Sequence, residues 1–186
     1  MYENDPAGQQ GKKKMLITRL FDTGPALDGL SELLKNCVDE GASIGFLPPL
    51  AQTAAQTYWR EVGASLGAGS RVLLVCTQDQ RMAGSVQLSL CGKENGLHRA
   101  EVEKLMVHTD FRGQGIGRQL LEAIEAIAVQ ARRSLLVLDT RTGDVASRLY
   151  RSAAYVEAGQ IPGFARDGHG ELCGTTFFYK VLAGTA

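Results

Sequence analysis

Three glycines at alternate positions carry the clearest chemical signal in the sequence. Gly113, Gly115 and Gly117 follow an apolar run that ends at Val107 and open an amphipathic helix. Glycine has no Cβ, so its backbone N–H groups can approach a bound anion closely. The start of a helix adds N–H donors without intrahelical acceptors and the positive end of the helix dipole. The segment therefore predicts a site for a phosphate or pyrophosphate.

The residues around these glycines distinguish the segment from two common nucleotide-binding motifs. A dinucleotide-binding fingerprint needs a third glycine where Arg118 stands, and its first glycine follows the strand directly, whereas residues 108–112 intervene here. A P-loop needs Gly-Lys-Ser/Thr, which is absent. Arg112 and Arg118 flank the loop and would add charge-assisted contacts to an anion. A glycine-rich turn with no ligand stays open as an alternative.

Three carboxylates are the other candidates for chemistry. Glu101 and Glu103 belong to one predicted strand and point to the same side, ~7 Å apart. Burying a carboxylate is costly without a partner, so we expect Glu103 to pair with Arg99 or Lys104, or to lie at a solvent-exposed strand end. Asp139 ends a buried strand at the edge where open α/β sheets bind ligands; a helix-capping role is its alternative.

Hydrophobic periodicity and turn residues predict the elements that must position these groups. Their order is β-α-α-β-β-β-α-β-α-β-β, which indicates an α/β (α+β) fold with a mixed central sheet of about seven strands flanked by about four helices. The predicted strands are 15–20, 72–77, 82–91, 99–107, 134–139, one near Tyr155, and 172–182. The predicted helices are 26–37, 51–66, one from Gly115 to about Arg133, and 144–153.

Length and composition favour one domain over residues 15–186, preceded by a flexible tail over residues 1–14. The chain has 186 residues, a formal net charge of zero and 22% charged residues, which favours neither nucleic acid nor an anionic membrane as a partner. The 4 cysteines are scattered, without metal-ligand spacing. We therefore expect free thiols, a reduced cytoplasmic location and no metal site.

The segment Leu105–Leu121 resembles motif A of the GCN5-related N-acetyltransferase (GNAT) superfamily, in which Arg/Gln-x-x-Gly-x-Gly/Ala opens a long helix. The predicted order of elements is also that of the superfamily. The resemblance implies acetyl-CoA as the cofactor, with its pantetheine arm along the backbone of Met106 and Val107. The residues that it assigns to the pyrophosphate are Arg112, Gly113, Gln114, Gly115, Ile116, Gly117 and Arg118.

Further segments between residues 41 and 180 are similar to the tabtoxin-resistance acetyltransferases, which acetylate a β-lactam amino-acid toxin. They include Gln87–Cys91, Arg99–Val102, Lys104–Val107, Leu138–Thr140 and Ile161–Gly163. This likeness gives Glu101 an acid/base or ammonium-binding role and makes Asp139 a second substrate carboxylate. It also implies that loop 41–49 forms one wall of the acceptor pocket, where Phe46, Tyr58 and Trp59 either line the wall or pack in the core.

Tyr150 lies where many GNAT enzymes carry a tyrosine that protonates the CoA thiolate. The surrounding family pattern is incomplete, because Gly143 replaces an asparagine and Ala154-Tyr155 replaces Gly-Phe. Contacts from that asparagine side chain must therefore be missing. Packing of Tyr150 in the core is the alternative. His98, His108 and His169 have no partner pattern, and we expect them at the surface.

These expectations combine into an acetyl-CoA-dependent N-acetyltransferase that acts on a primary amine of a small molecule, such as an amino-acid-like toxin or antibiotic. The expected assembly is a monomer or a homodimer, with a C-terminal edge strand (175–181) available to pair across a two-fold axis. Two alternatives are a non-catalytic acyl-CoA-binding module and a nucleotide-dependent oxidoreductase that uses the glycine loop and Asp139.

Overall fold

A mixed sheet organises the computed structural model, which describes residues 14–182. Its strands are β1 (Met15–Leu20), β2 (Arg71–Gln78), β3 (Arg81–Leu90), β4 (Arg99–Val107), β5 (Leu135–Arg141), β6 (Val156–Arg166) and β7 (Leu172–Val181). The helices are α1 (Leu27–Asp39), α2 (Gln52–Gly67), α3 (Ile116–Gln130) and α4 (Ala146–Ser152). The predicted order of elements and the mixed sheet are confirmed.

The strands lie in the order β1-β2-β3-β4-β5-β7-β6, and every neighbouring pair is antiparallel except β4 and β5. The prediction of a C-terminal edge strand is wrong, because β7 is hydrogen-bonded on both sides by β5 and β6. The short strand expected near Tyr155 is instead the 11-residue edge strand β6, all of whose residues are exposed. A central position suits β7, whose Thr175, Thr176 and Phe178 are buried.

Two apolar cores cover the two faces of the sheet. One packs α1 and α2 against Leu73 and Val75 of β2, and the other packs α3 and α4 against Val72 and Leu74 of the same strand. A strand buried on both faces must be apolar at successive positions, which explains the continuous run in β2. The faces that these helices cover are called the α1/α2 face and the α3 face below.

A β-bulge interrupts β4 where the strand approaches the centre of the sheet. Lys104 has a φ of 50°, and the pairing register with β3 shifts between Ser85 and Gln87. A bulge inserts one residue and changes the alternation of side chains. Val102 packs in the core on the α3 face before the bulge, and Leu105 packs there after it. Because of the bulge, the consecutive residues Glu103 and Lys104 both line the cavity that is described below.

The parallel pair at the centre of the sheet separates after a short ladder. Residues 99–101 of β4 pair with residues 135–137 of β5, and beyond them the described part of the chain shows no pairing between these strands. The carboxyl ends of β4 and β5 therefore diverge and leave a gap. Such a gap is the usual position of a ligand in an open α/β sheet.

Some expectations concern residues outside this structure or broad properties of the chain. The tail predicted over residues 1–14 lies outside the described residues apart from Lys14, so its boundary stays a prediction. Within residues 14–182, no helix combines the length and apolarity needed to span a membrane. All four cysteines are free; Cys37 and Cys76 are buried and the other two are half-buried.

Candidate active site

Two connected spaces occupy the gap between β4 and β5. The carboxylate cavity measures about 360 Å³ and is lined by residues 42–45, 101–105, 139–141 and 173–175 with Phe164. The glycine-loop groove measures about 590 Å³ and is lined by residues 105–107 and 111–113 together with the start of α3. Both volumes suit small-molecule ligands. The residues that border both spaces are Ala42, Leu105, Arg141, Asp144, Ala146 and Tyr150.

The glycine loop presents a row of backbone donors to its groove. Gly113 and Gly115 have φ values of 75° and 79°, in the left-handed region that glycine adopts without strain. Within the described residues, no N–H group of residues 113–118 donates a hydrogen bond. The first turn of α3 adds its dipole and contains no acidic residue. These free donors fit the pyrophosphate of a CoA-type cofactor.

Gly117 is constrained by a neighbouring helix as well as by the groove. A Cβ added at this position would lie 3.4 Å from Cδ2 of Leu149 in α4 and 3.7 Å from Cγ2 of Val107. Since α4 packs so close to the start of α3, a larger side chain at residue 117 must intrude into the groove or displace α4.

The other residues predicted to bind the cofactor differ in their placement. Arg112, Ile116, Met106 and Val107 line the glycine-loop groove, and the Nε of Arg112 donates to the carbonyl oxygen of Val107 at 3.3 Å. Two side chains point elsewhere, because Gln114 bonds Gln78 and Asp110 while Arg118 donates to Ser152 at 2.6 Å. For Gln114 and Arg118, contact with the cofactor through the backbone N–H stays a prediction.

Glu101 and Asp139 meet at the carboxylate cavity from neighbouring strands. Burial raises the pKa of Glu101, and the negative charges of Glu103 and Asp139 raise it further. The Thr175 hydroxyl donates to Oδ2 of Asp139 at 2.6 Å and fixes that carboxylate. An acid with an elevated pKa holds a proton more readily, which suits a group that accepts one during a reaction. The predicted juxtaposition of Glu101 and Asp139 is present in the cavity.

Glu103 has a partner on β2 that the sequence did not indicate. Nη1 of Arg71 lies 2.5 Å from Oε2 of Glu103 and donates at 2.6 Å to Gln87, whose amide donates at 2.8 Å to the hydroxyl of Tyr58. Pairing with Arg99 or Lys104 was expected, and the sheet brings Arg71 there instead, because β3 sets β2 and β4 on either side of Gln87. This network neutralises the charge of Glu103.

Lys104 also lines the carboxylate cavity, although nothing in its sequence context marks it as a site residue. Its left-handed backbone places it beside Glu103 on the wall instead of on the opposite face. Burial lowers its pKa. Among the described residues, no carboxylate lies within 4.0 Å of its ammonium group.

Tyr150 packs in the core, and its position beside both spaces leaves its role as a proton donor a prediction. Its ring packs in the core, with centroids 5.9 Å from Tyr155 and 5.8 Å from Phe178. The residue also borders both spaces, and its hydroxyl has no hydrogen-bond partner within the described chain. Burial, followed by the charges of Asp144 and Asp139, raises the pKa of Tyr150. The phenol therefore stays protonated and can serve as a proton donor.

Two loops meet beside the carboxylate cavity. Residues 42–45, between α1 and α2, form one wall as predicted, and Phe164 and Cys173 of the β6–β7 hairpin form another. The loop and the hairpin touch, because a Cβ added at Gly168 would lie only 2.8 Å from Cγ of Pro48. This contact, called the strap below, joins the loop and the hairpin whose other residues line the cavity.

The aromatic residues near the loop between α1 and α2 belong to the core and do not line the cavity. Trp59 is fully buried and donates from Nε1 to the carbonyl oxygen of Leu30 at 2.8 Å. Tyr58 packs edge-on against Trp59 and Phe46. The prediction of a surface position is wrong for His108, which is buried beneath the turn after β4, where its Nδ1 accepts from the N–H of Asp110 at 3.2 Å.

The site contains no feature that calls for a metal ion. Within the part of the chain that the structure describes, no group of three or more His, Cys, Asp or Glu residues could hold one. The chemistry available is instead an anion cradle joined, past a protonated phenol, to a cavity with two free carboxylates.

A family model for the acetyltransferase (GNAT) domain matches residues 69–157. Residues 69–157 are thus similar to a GNAT acetyltransferase domain. The match includes the bulged strand, the glycine loop and α4, whereas residues 42–45 and 164–175 of the cavity lining lie outside it. GNAT acetyltransferases use acetyl-CoA, and the fit of the free N–H groups to a pyrophosphate agrees with that cofactor.

Solved structures of acetyltransferases share the fold of this chain. The ribosomal-protein-alanine N-acetyltransferase from Brucella melitensis has 22% identity and a TM-score of 0.76, over 90% of this chain and 99% of that chain. YncA from Salmonella typhimurium, a proposed acetyltransferase seen with its cofactor acetyl-CoA, has 20% identity and a TM-score of 0.74, over 92% and 96%. A proposed phosphinothricin N-acetyltransferase has 18% identity and a TM-score of 0.73, over 91% and 100%.

Proposed function

We propose that this GNAT domain transfers the acetyl group of acetyl-CoA to a primary amine of a small molecule, such as an amino-acid-like toxin or antibiotic. One observation carries the proposal: Tyr150 borders both the glycine-loop groove and the cavity that holds Glu101 and Asp139. A donor in the groove and an amine in the cavity would meet at that phenol.

The glycine-loop groove holds the donor. Backbone N–H groups of residues 113–118 bind the pyrophosphate, and the free edge of β4 at Met106 and Val107 lies alongside the pantetheine arm. The thioester supplies the acetyl group, so that a C–N bond forms at the amine while the C–S bond breaks. Arg112 lies against the groove and adds a positive charge.

Glu101 and Tyr150 handle the two protons. Asp139 binds and orients the ammonium form of the acceptor, since a cation between two carboxylates is favoured over a neutral ligand. Glu101, alone or through one water, takes one proton from that ammonium and releases it to solvent, so that the neutral amine can attack the thioester. Tyr150 donates its proton to the leaving sulfur, and the second proton that the nitrogen loses as it becomes an amide replaces it by way of solvent, so that one proton is released in total.

The strap supports a small acceptor over a protein one. The Brucella melitensis structure is named for an enzyme that acts on a ribosomal protein, and such an acceptor needs an open channel for a chain. In this molecule the contact between Pro48 and Gly168 holds together two loops whose neighbouring residues line a cavity of about 360 Å³. The likeness to the tabtoxin-resistance acetyltransferases points to the same class of acceptor.

Two alternatives remain useful as outcomes of a test. A non-catalytic acyl-CoA-binding module has no need of free carboxylates beside the donor, which the cavity nevertheless contains. An oxidoreductase would require a nucleotide in the glycine-loop groove, and the GNAT match over residues 69–157 speaks against that use.

Calorimetric titration and a turnover assay test the proposal together. Acetyl-CoA should bind with micromolar to millimolar affinity, while NAD should not bind. A thiol reagent should then detect CoA release when a panel of small amines is added. Binding without release for any amine would indicate the non-catalytic module, and absence of acetyl-CoA binding would overturn the proposal.

We further propose a cytoplasmic enzyme that is a monomer or a homodimer. The four free thiols support a reducing compartment. The exposed edge strand β6 offers unpaired backbone groups for a two-fold contact. Light scattering at several protein concentrations tests the assembly.

A further inference from the structure

Some of the charged side chains around the carboxylate cavity form ion pairs with neighbouring residues and others do not. Glu103 pairs with Arg71 at 2.5 Å, and Asp144 pairs with Arg141 at 3.7 Å. Both acids are thus neutralised by cations from their own surroundings. The charged groups on the wall that keep no ion pair within the described chain are Glu101, Asp139 and Lys104.

The ammonium group of Lys104 forms no ion pair within the described chain, which is unusual for its surroundings. The residue is half-buried, and its backbone adopts a left-handed conformation with a φ of 50°, which an L side chain seldom occupies. Its Nζ lies 3.7 Å from the point where a Cβ on Gly45 would stand, so the ammonium group faces the loop wall of the cavity. Even partial burial of an ammonium group without a counter-ion is unfavourable, and an anion entering the cavity would offset that cost.

We infer that Lys104 binds a carboxylate of the acceptor, so that the acceptor is an amino acid whose amine lies at Glu101 and Asp139. The inference rests on the proposed function and narrows its substrate class. A zwitterion matches the cavity because its ammonium meets two free carboxylates and its carboxylate meets the free cation. A simple amine would leave Lys104 unpaired in the complex.

Matched acceptors separate the carboxylate from the rest of the molecule. The experiment measures kcat and KM for L-lysine, L-methionine and their carboxamides in the wild-type protein and in the Lys104→Met and Lys104→Arg variants. Methionine keeps the length of the side chain and a Cβ at the left-handed position, so the backbone strain is unchanged. The exposed Lys93, which lines neither space, provides the control variant Lys93→Met.

The wild-type protein should favour the acid over the amide by about 10- to 100-fold in kcat/KM, the usual effect of one charge-assisted hydrogen bond. Lys104→Met should remove that preference through KM with kcat nearly unchanged, while Lys104→Arg and Lys93→Met should keep it. Comparing the ratio of acid to amide between the wild-type protein and Lys104→Met cancels the different basicity of the two amines, because both enzymes are given the same pair of acceptors. Equal use of acid and amide by the wild-type protein, or a preference that survives Lys104→Met, would overturn the inference.

Binding without turnover distinguishes a failure of this inference from a failure of the proposed function. Calorimetric titration of L-lysine and L-lysinamide in the presence of CoA needs no chemistry. If no amine releases CoA but the acid still binds more tightly through Lys104, the acetyl transfer is wrong and the carboxylate site stands. If amines are acetylated and neither readout depends on Lys104, the carboxylate site is wrong.

Discussion

The glycine-loop groove and the carboxylate cavity are adjacent, but they are built in different ways. The anion-binding donors of the groove come from one continuous stretch, residues 113–118, and are fixed by the turn and by the start of α3, while parts of α1 and α4 complete its walls. The cavity uses side chains from β4, β5 and the β6–β7 hairpin, with a wall from the loop between α1 and α2. The donors of the groove are therefore local in the sequence, whereas the polar groups of the cavity come together only after the whole sheet has formed.

This difference bears on how each site can be changed. Backbone donors are independent of side-chain identity, so a groove of this kind recognises a constant ligand and is damaged mainly by added bulk. Side chains in the cavity can be exchanged without disturbing the sheet, so the acceptor can vary while the donor does not. The variants below separate the two regions.

Gly117→Glu should have the largest effect. A Cβ at this position would already contact Leu149 at 3.4 Å, so the rest of the glutamate side chain must displace α4 or extend into the groove, where its negative charge would oppose the pyrophosphate. Affinity for acetyl-CoA should fall by at least ~100-fold, the cost of a few kcal/mol in binding, as measured by calorimetry. Gly67→Glu, at the exposed end of α2 with open space around it, should bind acetyl-CoA as the wild type does. Equal affinity of both variants for acetyl-CoA would show that Gly117 does not contribute to the cofactor site.

Tyr150→Phe should act on the chemical step and spare cofactor binding. Loss of a general acid costs roughly 10²- to 10⁴-fold, so kcat should fall within that range while the affinity for acetyl-CoA is retained. Tyr155→Phe is the matched control, since that hydroxyl is buried without a hydrogen-bond partner and its ring contacts Tyr150. If both variants keep full turnover in a stopped-flow assay, the Tyr150 phenol is only a core residue.

The pH profile should respond to the carboxylates in a defined direction. Glu101 accepts a proton only when ionised, so activity falls as the pH drops through its elevated pKa. Asp139→Asn removes a negative charge that raises the pKa of Glu101, so the acid limb of kcat/KM should move to lower pH. Glu32→Asn on the exposed surface of α1 should leave the limb in place. An unmoved limb in Asp139→Asn would show that a group other than Glu101 controls it.

Gly168→Val should have the smallest effect, because it changes the strap and neither set of catalytic groups. The added side chain would lie 2.8 Å from Pro48 and force the two loops apart. KM for a small amine should rise about 3- to 10-fold, since acceptor positioning is loosened, while acetyl-CoA affinity is unchanged. His169→Val in the same turn is exposed and should have no such effect. Unaltered KM in Gly168→Val would mean that the strap does not shape the acceptor cavity.

Much of the fold could be predicted because each element carries its own periodic pattern. Strands β1 and β4 have the predicted bounds. The helices and most of the other strands differ from the predicted bounds by a few residues at their ends. The length of β6 was missed because Gly159, Pro162 and Gly163 read as turn signals. An edge strand tolerates them, since its outer backbone groups need no partner.

The sequence by itself predicted the anion cradle and the strand-end acid Asp139, because glycine spacing and strand-end positions are local properties, whereas Glu101 was assigned its role by the resemblance to the tabtoxin-resistance acetyltransferases. Tertiary structure alone decided that Arg71 rather than Arg99 or Lys104 neutralises Glu103. It also decided that the bulge in β4 puts Lys104 on the cavity wall and that Pro48 meets Gly168. The physical reason is that register, bulges and loop contacts depend on residues far apart in the chain, whereas a helix start needs only its neighbours.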